Sequence, residues 1–239
     1  MKKYTIAMTM SQKHQDLFVQ KEYLKLVDAW KLIVSNEFKL PPAEDLGVNM
    51  VSQLPTNPGH QAGFAMLMNE VDRCLREMPP SKWLVHTSND VYILDWGVID
   101  QITDRLESEG KKIAAFQWYY PGTLSADFFV VDREWALEKK VLCYHHGLGA
   151  EQELWSLVVL ANDQNKIDES PILYLDYELD KDRQEIRARK QGGARNFPWR
   201  EKYKIVHDHL GEYIPEMKLY GPWNEGIEAA QRKYRGFRE

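Results

Sequence analysis

Cysteine is scarce in this chain: Cys74 and Cys143 are its two, far apart in sequence and each in an apolar context. That excludes a disulfide framework and a zinc ribbon, and predicts two buried thiols in a reducing compartment. No apolar run approaches the roughly 18 residues that a membrane span needs. The opening "MKKYTIAMTM" is too short and too polar to read as a signal peptide, so a cytoplasmic protein with no membrane span is expected. Excess positive charge is missing too. With 36 acidic against 31 basic residues the net charge is −5, which excludes a surface that grips nucleic acid everywhere and leaves a local basic patch open. There is no internal repeat and no low-complexity tract, which removes solenoids and arrays. What is present, 44% hydrophobic and 12% aromatic residues over 239 positions, suffices for one sizeable core.

The pattern alternates strands with helices. Tyr4 to Met10 reads as a first strand ending in the polar loop "SQKHQ". Phe18, Leu24, Val27, Trp30 and Ile33 then form a stripe near helical spacing, which predicts a helix stopped by Pro41-Pro42. A short strand follows from Gly47 to Leu54, then a helix from Gln61 to Met78 closed by Pro79-Pro80. After Trp83 come a strand, a helix ending at Gly110, a strand from Ile113 to Trp118, and a strand from Asp127 to Val131 with a short helix behind it. A helix over Ala150 to Leu160 and the strand-like "PILYLDY" complete an α/β sandwich with a largely parallel sheet. From Lys181 to Lys204 nine cations face three acids around "QGGAR", and "VHDHLG" ends a short strand in two histidines.

In "WLVHTSNDVYILDWGVID" an apolar strand reaches the polar cluster His86-Thr87-Ser88-Asn89-Asp90 and turns apolar again. An unpaired charge between hydrophobic runs is costly to bury. Ligands of parallel α/β sheets bind at the carboxyl ends of the strands, and a carboxylate there can stay charged by ligating Mg²⁺ or Mn²⁺. The plain alternative is a strand-end Asp that caps the next turn.

Here the sequence resembles the nucleotide-sugar glycosyltransferases of the A-type fold, a Rossmann-like three-layer sandwich with a mostly parallel central sheet and an Asp-x-Asp metal motif after a central strand. Ser88-Asn89-Asp90 falls on that motif with Ser88 in place of the first acid. "NPGHQAGFAMLMNEVDRCL" is similar to the family's helix before the motif strand, "TLSADFFVVDREWA" to its acceptor-side strand, and "GLGAEQELW" to the acidic helix start that carries the base in inverting members. The likeness covers about residues 4 to 160.

The resemblance implies a single domain over 1–239: a nucleotide-sugar-binding half (1–110), an acceptor half (111–180), and a basic loop with a closing segment (181–239). It implies a hexosyl- or pentosyltransferase using a divalent cation, Mn²⁺ or Mg²⁺, held by Asp90 with His207 or His209. Glu151 falls on the base position and Asp127 on an acceptor contact, with Asp127 the second candidate for the base. Thr9, His14, Gly59, Gln61, Gly63, Ser88 and Asn89 would bind the nucleotide sugar, glycines admitting close backbone approach and a helix N-terminus favouring phosphate. His145-His146 and Trp118-Tyr119-Tyr120 are further acceptor-side candidates, against polar loop and core packing respectively. The Lys181–Lys204 stretch, with Phe197 and Trp199 interleaved, makes modified bases of viral DNA an alternative acceptor. A non-catalytic nucleotide-sugar-binding protein of the same fold is another. A nucleotidyltransferase is disfavoured because "MSQKHQ" lacks the glycine-rich loop of that class.

Overall fold

A computed structural model describes residues 2–10, 20–21, 24–36, 39–93, 95–117, 122–145, 149–163, 165–175 and 205–207. Strand β1 (Tyr4–Met10) is buried at every position, the pattern of a strand covered on both faces. Next come β2 (Trp30–Asn36), the short helix α1 (Ala43–Leu46), β3 (Met50–Leu54), α2 (His60–Glu77), β4 (Trp83–Ser88), β5 (Val91–Ile93) and α3 (Gly97–Ser108). The second half adds β6 (Ile113–Gln117), β7 (Leu124–Asp132), α4 (Arg133–Glu138), α5 (Ala150–Val159), β8 (Ile172–Tyr174) and β9 (Ile205–His207).

Seven strands form one sheet in the order β3-β2-β1-β4-β7-β6-β8, and β5 pairs with β9 in a separate ribbon. Within the large sheet β7 runs against both neighbours, while the other pairings are parallel. The alternation of strand side chains gives the sheet two cores. Ile6, Met8 and Val85 pack with Val98, Ile99, Ile102 and Leu106 of α3 on one face. Ala7 and Leu84 pack with Leu67, Met68 and Val71 of α2 and with Leu154 and Val158 of α5 on the other. The three-layer α/β sandwich with a mostly parallel sheet is therefore as expected.

Two expectations about local structure are corrected. Trp30 and Ile33 belong to β2 and not to a helix. Leu32, Ile33 and Val34 are all buried, a continuous apolar run that suits a doubly covered strand. The strand expected from Gly47 starts at Met50, because Gly47 takes the left-handed conformation (φ 65°) that ends α1. A third feature had no sequence signal: the buried Arg133 guanidinium donates to the carbonyls of Leu75, Met78 (3.0 Å) and Pro79 (2.5 Å) at the C-terminal end of α2. It satisfies acceptors that a helix end leaves open.

Candidate functional site

The chain moves from β1 to β2 and β3 on one side and then returns to place β4 on the other side of β1. That reversal makes a topological switch point at the carboxyl ends of β1 and β4, the place in such sheets where a crevice for ligands is expected. Thr9 and Ser88 stand opposite each other there, and the Asn89 amide donates to the Thr9 carbonyl (3.0 Å). The chain then turns at Asn89-Asp90. Buried Gln20 holds the turn by donating to the carbonyls of Asn89 (3.0 Å) and Val91 (2.6 Å), and the Thr87 hydroxyl donates to those of Ser88 (3.0 Å) and Val91 (3.2 Å). Asp90 sits on this turn only partly buried, so its charge avoids the full cost of desolvation.

Because β7 is antiparallel to β4, the early part of β7 arrives beside the end of β4. Ser88 Oγ donates to Asp127 Oδ1 at 3.2 Å. Beneath this pair lies His86, fully buried, its ring stacked on Phe129 at 4.7 Å and its Nε2 3.2 Å from Thr9 Oγ1. Burial pushes its pKa down to about 3, so the imidazole is neutral.

The N-terminus of α2 packs beside the end of β2. Asn57 Oδ1 accepts from the Gly59 amide (3.1 Å), and Gly59 itself has φ 110°, open to glycine. A Cβ on Gly63 would stand 2.3 Å from Asn57 Oδ1 and 3.1 Å from Asn36 Nδ2, so any side chain here must displace the Asn57 amide. Asn36, buried at the end of β2, donates to the Gly63 carbonyl (3.2 Å). Gln61 is exposed on the first turn.

On the far side of β7, α5 starts after Gly149 and carries Glu151 and Glu153 in its first turn, where carboxylates are favoured by the helix dipole. Glu153 is buried and accepts from the His145 amide, with His145 Nδ1 at 3.8 Å. Tyr144 is buried too. Its phenol is pushed well above the ordinary tyrosine range by burial first, then by the charges of Glu153, Glu151 and Asp127. The small ribbon brings the late chain back: β9 pairs with β5 so that His207 stands opposite Val91, next in sequence to Asp90.

At the switch point Thr9 pairs with Ser88 and Ser88 meets Asp127, with Asn89 and Asp90 on the turn after β4; Gly59, Gln61 and Gly63 lie at the start of α2, and Glu151 in the first turn of α5. His14, Trp118, Tyr119, Tyr120, His146, His209 and the Lys181–Lys204 stretch lie outside the described residues. Among the described residues no three His, Cys, Asp or Glu side chains form a metal cluster, and no described helix is long and apolar enough to cross a membrane. Gln20, Asn36 and Tyr144 had not been singled out. Only their burial marks them, and burial of lone polar residues has no signature in sequence.

No protein-family model and no curated protein matches the sequence. Solved structures do. A cytidylyltransferase from Leptospira borgpetersenii serovar Hardjo-bovis matches with a TM-score of 0.52 at 12% identity, covering 98% of this chain and 96% of its own. The likeness is one of fold. A mannosyltransferase from Pyrobaculum calidifontis, solved with GDP-Man and Mn²⁺, gives 0.49 at 11% identity over 96% and 74% of the two chains. Mouse xyloside xylosyltransferase 1 gives 0.46 at 10% over 87% and 98%. The likeness to the cytidylyltransferase, over nearly the whole of both chains, concerns the fold.

Proposed function

We propose that the protein is a glycosyltransferase that moves a hexosyl or pentosyl group from a nucleotide-diphosphate sugar to an acceptor hydroxyl. The observation that supports this most is the Ser88–Asp127 contact at the switch point, beside the turn that carries Asp90. It sets a candidate donor side and a candidate acceptor side against one another across β4 and β7. The donor set of Asp90 with His207 or His209, oxygen plus imidazole, suits Mn²⁺ or Mg²⁺. A divalent cation there supplies charge neutralisation on the departing diphosphate. Thr9, Ser88, Asn89 and the backbone at Gly59 and Gly63 bind the nucleotide, with His14 and Gln61 beside them. Glu151 takes the acceptor proton and Asp127 orients the acceptor hydroxyl.

A thermal-shift panel of UDP, GDP, CDP and ADP, with and without Mn²⁺, tests the donor side. A ligand at about a hundredfold excess over its Kd stabilises by about 2.7 kcal/mol. The reading expects one nucleotide to give a metal-dependent shift that Asp90→Asn abolishes; no shift for any of the four contradicts it.

A nucleotidyltransferase is the second reading, favoured by the fold likeness to a cytidylyltransferase. The segment "SQKHQ" that follows β1 in sequence lacks the glycine of that class, which speaks against it. The nucleic-acid acceptor rests on the Lys181–Lys204 stretch alone.

A further inference from the structure

Strand β4 ends at Ser88 and β5 begins at Val91, yet the two belong to different sheets: β4 lies in the seven-stranded sheet, while β5 pairs with β9. No backbone ladder between these two described strands therefore sets the place of the Asn89-Asp90 turn that joins them. Side chains do. Gln20, 3% exposed, brings its amide nitrogen to the Asn89 carbonyl at 3.0 Å and to the Val91 carbonyl at 2.6 Å. These are the residues immediately before and after Asp90, so the two N–H donors of one amide straddle the acid. Both partners are carbonyls, which requires the amide nitrogen and not its oxygen to face them. Gln20 stands 69 and 71 positions from them in the chain, so the clamp is no local by-product of the turn. The Thr87 hydroxyl, shared between the carbonyls of Ser88 (3.0 Å) and Val91 (3.2 Å), closes the turn from the β4 side.

The bond to Val91 reaches a second candidate ligand. Val91 is paired with His207 in the β5–β9 register, so the same amide fixes the strand against which His207 is placed. We propose that Gln20 is a positioning residue for the divalent cation: by holding Asn89 and Val91 it sets Asp90, and through β5 the strand that carries His207, where both can ligate one ion. This rests on the transferase reading above. Gln20 acts through the turn alone, in the way that outer hydrogen-bond partners orient the ligands of a metal.

The test is the factor by which Mn²⁺ tightens nucleotide binding, taken as the ratio of Kd values without and with Mn²⁺ for UDP, GDP, CDP and ADP. In Gln20→Met, which keeps an unbranched side chain of similar bulk and has no donor, the factor falls roughly tenfold for the nucleotide the parent prefers, with the metal-free Kd unchanged. Gln20→Asn retains the amide one methylene short of spanning both carbonyls. It loses part of the factor, and it decides the outcome if Gln20→Met folds poorly. Arg133→Met, destabilised away from the turn, keeps the parental factor. A parental factor in both Gln20 variants overturns the role of Gln20 and leaves the transferase reading in place, as does an equal loss of affinity with and without Mn²⁺. A parent whose nucleotide binding is absent or indifferent to Mn²⁺ overturns the metal-assisted transferase reading and this inference with it.

Discussion

Ser88 Oγ donates to Asp127 Oδ1 across 3.2 Å, tying the end of β4 to the antiparallel strand β7. The position where a metal motif would carry its first acid therefore holds a hydroxyl that is engaged with an acid from another strand.

Ser88→Asp would put two carboxylates in contact. Without divalent cation the variant is expected to lose roughly 1–3 kcal/mol, because like charges at this distance repel in a partly buried site. Added Mn²⁺ should restore more stability to it than to the parent, read by thermal unfolding with and without the metal.

Gly63→Ala should impair nucleotide binding with little loss of stability. Alanine is the better helix former by about 1 kcal/mol, yet its Cβ would meet Asn57 Oδ1 at 2.3 Å and push it off the Gly59 amide. The expected result is a nucleotide-dependent thermal shift lost in a variant whose ligand-free melting stays near the parent's.

His86 makes stability depend on pH. Its pKa falls from 6.5 to about 3 on burial, so below 6.5 the unfolded chain binds the proton that the folded chain refuses. Stability is full above that value and is lost as the pH falls toward the folded pKa, by about 1.4 kcal/mol per pH unit. Urea unfolding at about pH 6.5 and pH 5 should differ by roughly 2 kcal/mol from this group. His86→Phe, which can still stack on Phe129, should flatten the dependence.

Arg133→Met should be among the more damaging substitutions away from the crevice. It leaves the carbonyls of Leu75, Met78 and Pro79 without their donor, at a cost of about 2–4 kcal/mol. Chemical denaturation measures this directly.

The sheet was largely legible because β1 and the first half of β4 are rich in apolar residues and α2 and α3 carry clear stripes bounded by Pro79-Pro80 and Gly110. The misreading of Trp30 and Ile33 arose where no glycine or proline marks the step from Asp28-Ala29 into β2. An unbroken apolar run satisfies helical spacing as readily as strand spacing. At the site, Asp90 and Asp127 were visible as acids flanking apolar runs, but the contact of Asp127 with Ser88 depends on β7 running antiparallel, a feature of topology. The burial of Tyr144 was invisible because nothing in "CYHHG" marks its ring as part of the core.

The most direct test of the central claim is product analysis with Mn²⁺ and a panel of nucleotide sugars and nucleoside triphosphates. The account predicts release of a nucleoside diphosphate and free or transferred sugar from one nucleotide sugar, lost in Asp90→Asn and reduced in Glu151→Gln. Pyrophosphate release from a nucleoside triphosphate, with every nucleotide sugar left intact, would contradict it and assign the crevice to nucleotidyl transfer.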